Sequence, residues 1–100
     1  MKVYVLVRQD LDYSSKAVQG GHALAQLCHH HDIAEWEDSH KTLVFLSVRG
    51  ESELLRYYDS IPMEEKCLFR ETDFKNEYTA MAVLAKNKDD QKLFKKLRLL

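Results

Sequence analysis

The stretch Lys16-Ala17-Val18-Gln19-Gly20-Gly21-His22-Ala23-Leu24-Ala25-Gln26-Leu27-Cys28-His29 carries two chemically different faces at helical spacing. At about 100° per residue, Lys16, Gln19, His22, Gln26, His29 and His30 fall on one arc, and Ala17, Val18, Gly21, Leu24, Ala25 and Cys28 on the other. The pattern predicts a helix that packs through the second arc and offers the first for chemistry. Ser14 or Ser15 can cap it by accepting from the free backbone N–H groups, and it runs to about His30. Gly20 and Gly21 each lower helix stability by roughly 1 kcal/mol relative to alanine. Close approach of the helix to a strand or to a ligand is the reason they imply.

Upstream, Val3 to Val7 is a continuous apolar run closed by Arg8-Gln9-Asp10, the pattern of a central strand buried on both faces. Downstream, Ile33 to Glu37 reads as a short helical turn, Thr42 to Val48 as a second strand, and Glu51 to Ile61 as a helix that Pro62 stops. Lys66 to Arg70 and Thr79 to Leu84 are two further strands. The seven residues Glu71 to Glu77 are too few for a parallel crossover, so these two strands, if paired, are antiparallel. Asn87 can cap a last helix that turns Leu93, Phe94 and Leu97 inward and ends in Lys95, Lys96 and Arg98. With right-handed crossovers, the order gives a three-layer α/β/α sandwich on a mixed four-stranded sheet, as one domain over residues 1–100.

Fifteen basic and sixteen acidic residues leave a net charge of -1. No basic tail announces nucleic acid, so such a partner would be held by a local patch. Tyr57 and Tyr58 beside Arg49 and Arg56 are one aromatic and basic option, set against ordinary core or dimer packing. Cys28 and Cys67, without CxxC spacing, fit buried free thiols in a reducing compartment. No apolar run approaches the roughly 18 residues of a membrane span, and the N-terminal run is too short for a signal segment. The expectation is a soluble cytoplasmic protein.

In mixed sheets, ligands collect beyond the carboxyl ends of the parallel strands. If the third strand parallels the first, Glu71 and Asp73 come to the same edge as Lys16, Gln19 and His22. A histidine beside a carboxylate can act as a general base on water, and a nearby lysine can stabilise an oxyanion. The competing reading is a solvated helix face. Cys28, His29, His30, His31 and His40 do not make a metal site: consecutive helical side chains diverge, and His22 and His29 are two turns, roughly 10 Å, apart.

The Lys16 to Ala23 motif, the segment Phe69 to Ala82 and the ending Lys95-Lys96-Leu97-Arg98-Leu99-Leu100 resemble the type-II peptidyl-tRNA hydrolase family, especially its short bacterial and phage branch. The resemblance implies the same three-layer fold, a homodimer, and metal- and cofactor-free cleavage of the ester joining a peptide to tRNA. It assigns Gln19 and His22 to the family's first-helix glutamine and histidine, Asp73 to the aspartate after the third strand, and Thr79 to the threonine entering the fourth. Asp73, or His22 acting with it, would deprotonate a water, with Lys16 and Thr79 donating to the ester carbonyl. Gln19, Gln26 and Glu71 would bind substrate. The lysine stands one residue closer to the glutamine than in well-studied members, a turn of about 100° on a helix, and the connector lacks their glycines. Those departures keep the first of two alternatives open, and the aromatic residues the second. One is a non-catalytic member that binds RNA, a nucleotide-containing ligand or a protein in the same cleft. The other is an interaction protein with Trp36, Tyr57 and Tyr58 exposed at a dimer contact.

Overall fold

Val3, Val5 and Val7 alternate with Tyr4 and Leu6 along β1 (Lys2–Arg8), and all five are buried, so this strand needs cover on both faces. The computed structural model, which describes residues 1–100, provides it. After β1 come α1 (Tyr13–His30), α2 (Ala34–Glu37), β2 (Leu43–Val48), α3 (Glu51–Ser60), β3 (Lys66–Glu71), a 3₁₀ turn (Thr72–Phe74), β4 (Glu77–Ala85), α4 (Lys88–Lys92) and β5 (Arg98–Leu99).

The strand order is β3-β4-β1-β2-β5. β1 is parallel to β2 and antiparallel to β4, which is antiparallel to β3. β3 therefore runs with β1 and delivers its carboxyl end to the same edge. Val3, Val5, Val7, Ala80, Ala82 and Leu84 pack under α1 and α2 with Ala23, Leu27 and Trp36. Tyr4, Leu6, Met81 and Val83 pack on the other side with Leu54, Ile61 and Phe94. The period of two along β1 and β4 thus divides one sheet between two cores.

The sheet has five strands rather than four. α4 ends at Lys92, Leu93 is 43% exposed and Phe94 is 2% exposed. Phe94 is the anchor, stacked on Tyr4 at 4.7 Å between ring centroids. Beyond it the chain turns and pairs with β2, Ser47 opposite Arg98 and Leu46 opposite Leu99, satisfying a strand edge that would otherwise be bare.

α1 is rolled away from its expected orientation. Its buried stripe is Gln19, Gly20, Ala23 and Leu27, while Ala17, Val18, Gly21, Ala25 and Cys28 face outward. The turn is roughly 140° at helical spacing. Gly20 shows why: a Cβ there would stand 2.5 Å from Phe45 Cε2 and 3.1 Å from Val7 Cγ2, so only glycine lets the helix settle this closely on the sheet. Gly21 faces open space. The helix cap is Asp12, whose side chain accepts from Ser15 N at 2.8 Å, and not Ser14 or Ser15.

Several further surface expectations change. Cys28 is exposed and Cys67 buried. Trp36 is buried with its indole N–H donating to Thr42 O at 2.9 Å, and Tyr57 and Tyr58 pack against the α3 core. Trp36 therefore offers nothing to a contact surface, and Tyr57 and Tyr58 offer only half-buried rings. A His31 ring nitrogen lies 3.1 Å from Lys66 O. No helix is long and apolar enough to cross a membrane.

Candidate active site

The site begins with an irregularity in β4. Register runs from Phe69 opposite Ala80 directly to Arg70 opposite Tyr78, which leaves Thr79 as the extra residue of a bulge. Strict alternation would send Thr79 to the α3 side with Met81. The bulge instead turns it toward α1 beside Ala80, as an inserted residue does when it kinks a strand.

There Thr79, fully buried, donates its hydroxyl to Gln19 Oε1 at 2.6 Å. Gln19, 2% exposed, donates through Nε2 to Glu71 Oε1 at 3.1 Å. An amide and a hydroxyl buried without partners would each cost about 1–3 kcal/mol. Paired, they form a polar seam from β4 through α1 to the end of β3. The seam fixes the β3–β4 connector against the first turns of α1.

His22 and Asp73 lie on the solvent side of this seam. The His22 ring stacks on Phe69 of β3, 4.7 Å between centroids and 15° from parallel, which holds the imidazole over the sheet edge. Asp73 sits in the exposed 3₁₀ turn and, with Phe74, Lys75 and Glu77, lines a shallow hollow of about 240 Å³. Without glycine, the connector turns through Lys75 and Asn76, both left-handed with φ of 56° and 60°.

Lys16 lines a different hollow, with Tyr13, Ala17, Phe45 and Leu100. The hydrogen bond from Arg8 holds the Asp10 carboxyl below the usual range against the opposing effect of burial, and the Lys16 charge is the smallest of the causes that add to it. Gln26 lies two turns beyond Gln19 with its side-chain oxygen buried and unpaired. Gln19, Glu71 and Thr79 are thus joined directly, His22 and Asp73 stand on the elements they join, Lys16 lines a separate hollow, and Gln26 makes no hydrogen bond to the seam.

A second framework was not foreseen. Arg8, 9% exposed at the carboxyl end of β1, donates to Asp10 through Nε at 3.0 Å and Nη2 at 2.7 Å, and through Nη1 to Glu77 Oε1 at 2.8 Å and Tyr78 O at 3.2 Å. Glu51, at the start of α3, accepts from Tyr78 N at 2.8 Å. The hydrogen bond with Asp10 raises the Arg8 pKa further, burial opposes it and Glu77 adds to it, so the guanidinium stays charged. The available signal was an arginine continuing the inward set of Tyr4 and Leu6 on a buried strand, a placement that demands carboxylate partners.

The peptidyl-tRNA hydrolase PTH2 family model matches residues 1–100. The chain belongs to this family. Among solved structures, a protein of unknown function from Agrobacterium tumefaciens strain C58 is similar with a TM-score of 0.66, at 16% identity, over 99% of this chain and 96% of that one. At that identity the likeness concerns the fold alone. No curated protein matches the chain in sequence. Membership in the peptidyl-tRNA hydrolase family connects the fold to translation and to a tRNA-linked substrate.

Proposed function

We propose that this chain hydrolyses the ester bond of peptidyl-tRNA, releasing peptide and free tRNA without a metal. The observation that carries the reading is the Thr79–Gln19–Glu71 seam, because it locks the turn bearing Asp73 against the helix bearing His22. Asp73, or His22 acting with it, takes a proton from water. The hydroxide attacks the ester carbonyl, the bond to the ribose oxygen breaks, and that oxygen takes up the proton. A positioned general base contributes typically about 10²–10⁴-fold. Gln19 and Thr79 act as positioning residues, since both are buried and bonded to each other, while Lys16, which lines a separate hollow, takes no part in the step.

Incubation with diacetyl-lysyl-tRNA tests this. Release of the blocked amino acid above background is expected, and folded protein that releases none would overturn the reading. The second reading, a binding member without turnover, draws on Asp73 having no hydrogen-bond partner and lying on an exposed turn. It expects tRNA binding that survives Asp73→Asn with no hydrolysis by either protein.

The homodimer is part of the same proposal. Tyr13 and Val18, 92% and 52% exposed, continue into exposed Ala17 and Gly21 on one side of α1, an apolar strip suited to a second copy. Sedimentation at micromolar concentration should give a dimer; monomer alone would remove this part.

A further inference from the structure

The near-neutral composition conceals a local concentration of cations, seven of the fifteen basic residues lining two adjoining grooves. Lys2, Lys88, Lys92 and Lys95 rim an open groove of about 500 Å³ floored by Tyr4 and Phe94. Leu97 joins it to a second groove of about 350 Å³, where Arg49, Lys96 and Arg98 stand with Gln9 and Ser47. Together they make one trough along the β2–β5 edge, the first groove on the face opposite α1 with Tyr4 and Leu46, the second at the carboxyl end of β2.

These cations are largely uncompensated. Lys2, Lys88, Lys95, Lys96 and Arg98 make no ion pair, and Lys92 has only Asp89 at 3.8 Å. Arg49 is tied to Glu53, the one carboxylate in the second groove, at 2.9 Å. Outside the trough Arg8, Arg56 and Lys86 are paired with acids, while Lys16, Lys41, Lys66, Arg70 and Lys75 make no ion pair. Like charges left together raise the energy of the folded chain and focus a positive potential. A small anion would call for donors converging on one point, whereas here they follow one another along α4, the turn after it and β5. That arrangement fits a polyanion. Tyr4 and Phe94 are 7% and 2% exposed, so no aromatic face is offered to bases and the fit is to a backbone.

We infer that this trough binds the phosphodiester backbone of an RNA, independently of its sequence. Its second groove reaches Gln9, whose N–H is bonded to Val48 O at 2.7 Å beside the Arg8–Asp10 pair. From β2 to β4 is two strand spacings, roughly 10 Å. An RNA lying in the trough therefore has its continuation at the edge that holds the candidate active site. The identification of that RNA as the tRNA body rests on the hydrolase reading; the trough itself does not.

The test uses fluorescence anisotropy with labelled, uncharged tRNA and the full chain, between about 50 and 200 mM salt. The wild type should bind with affinity that falls steeply with salt. Lys92→Ala/Lys95→Ala/Arg98→Ala, three exposed changes, should weaken binding by about tenfold or more at the low-salt end and flatten the log–log salt slope by roughly 2 to 3, since each phosphate contact contributes about 0.7–0.9. Lys86→Ala, which removes a charge paired with Glu65 outside the trough, should leave binding as it was. Absence of salt-dependent tRNA binding in the wild type, an unchanged slope in the triple variant, or an equal loss in Lys86→Ala would each overturn the inference. Because uncharged tRNA is the probe, a failure of hydrolysis leaves this result standing. Conversely, an active enzyme whose KM ignores the triple change would keep its activity and lose the trough.

Discussion

Both ends of the Gln19 amide are used inside the protein, one accepting from Thr79 and the other donating to Glu71. Thr79→Val keeps the shape of the side chain and removes the donor, leaving the Gln19 oxygen buried and unpaired. A loss of about 1–3 kcal/mol in urea unfolding is expected. In the hydrolase reading, kcat should fall too, by up to about 10²-fold, as a displaced turn misplaces Asp73. A stability change within error of zero would mean that the seam closes through other groups. This part of the site was legible only as a set of residue types. Helical spacing put Gln19 among the outward polar residues, because its partners are 52 and 60 positions away and the bulge that turns Thr79 toward it leaves no mark in the residue pattern. The role of Arg8 was hidden for the same reason: Glu77 is remote in sequence, and only Asp10 is near.

For elements, the clearest case is the roll of α1. Ala17, Val18, Gly21 and Ala25 read as a packing face by hydropathy, but small side chains gain little from burial, and Leu27, Ala23 and the bare backbone at Gly20 fit the sheet better. The two adjacent glycines therefore respond oppositely to alanine. Gly20→Ala should destabilise by about 1 kcal/mol or more, overlap with Phe45 outweighing the helix-propensity gain. Gly21→Ala should stabilise by roughly 0.5–1 kcal/mol, because its Cβ meets nothing. Thermal melts of the two variants check the pair, and destabilisation by both would contradict the helix orientation. The strands were readable from the sequence because Val3 to Val7 is apolar without interruption and Pro62 and Asn87 punctuate the chain. β5 was not, since its two residues, Arg98 and Leu99, are 'strand' only through the edge of β2 that they meet.

At the scale of the whole molecule, acid stability depends on carboxylates held charged by the fold. Asp10 is lowered chiefly by its hydrogen bond from Arg8, Glu53 by the backbone N–H of Arg49, and Glu65 by its hydrogen bond from Lys86. Each binds a proton less readily folded than unfolded, so the stability they contribute is present above the ordinary carboxylate range and is lost as pH falls through the folded values. Urea midpoints should be flat above about pH 5 and decline below about pH 4. Asp10→Asn should lessen that decline, and a midpoint that rises on acidification would contradict the assignment.

The most direct measurement is single-turnover release of blocked amino acid from diacetyl-lysyl-tRNA by wild-type protein and by Asp73→Asn. The expected result is hydrolysis by the wild type and a fall of about 10²–10⁴-fold in the variant, with circular dichroism unchanged. Equal rates for the two, or no release by the folded wild type, would contradict the assignment of Asp73 as the group that activates water.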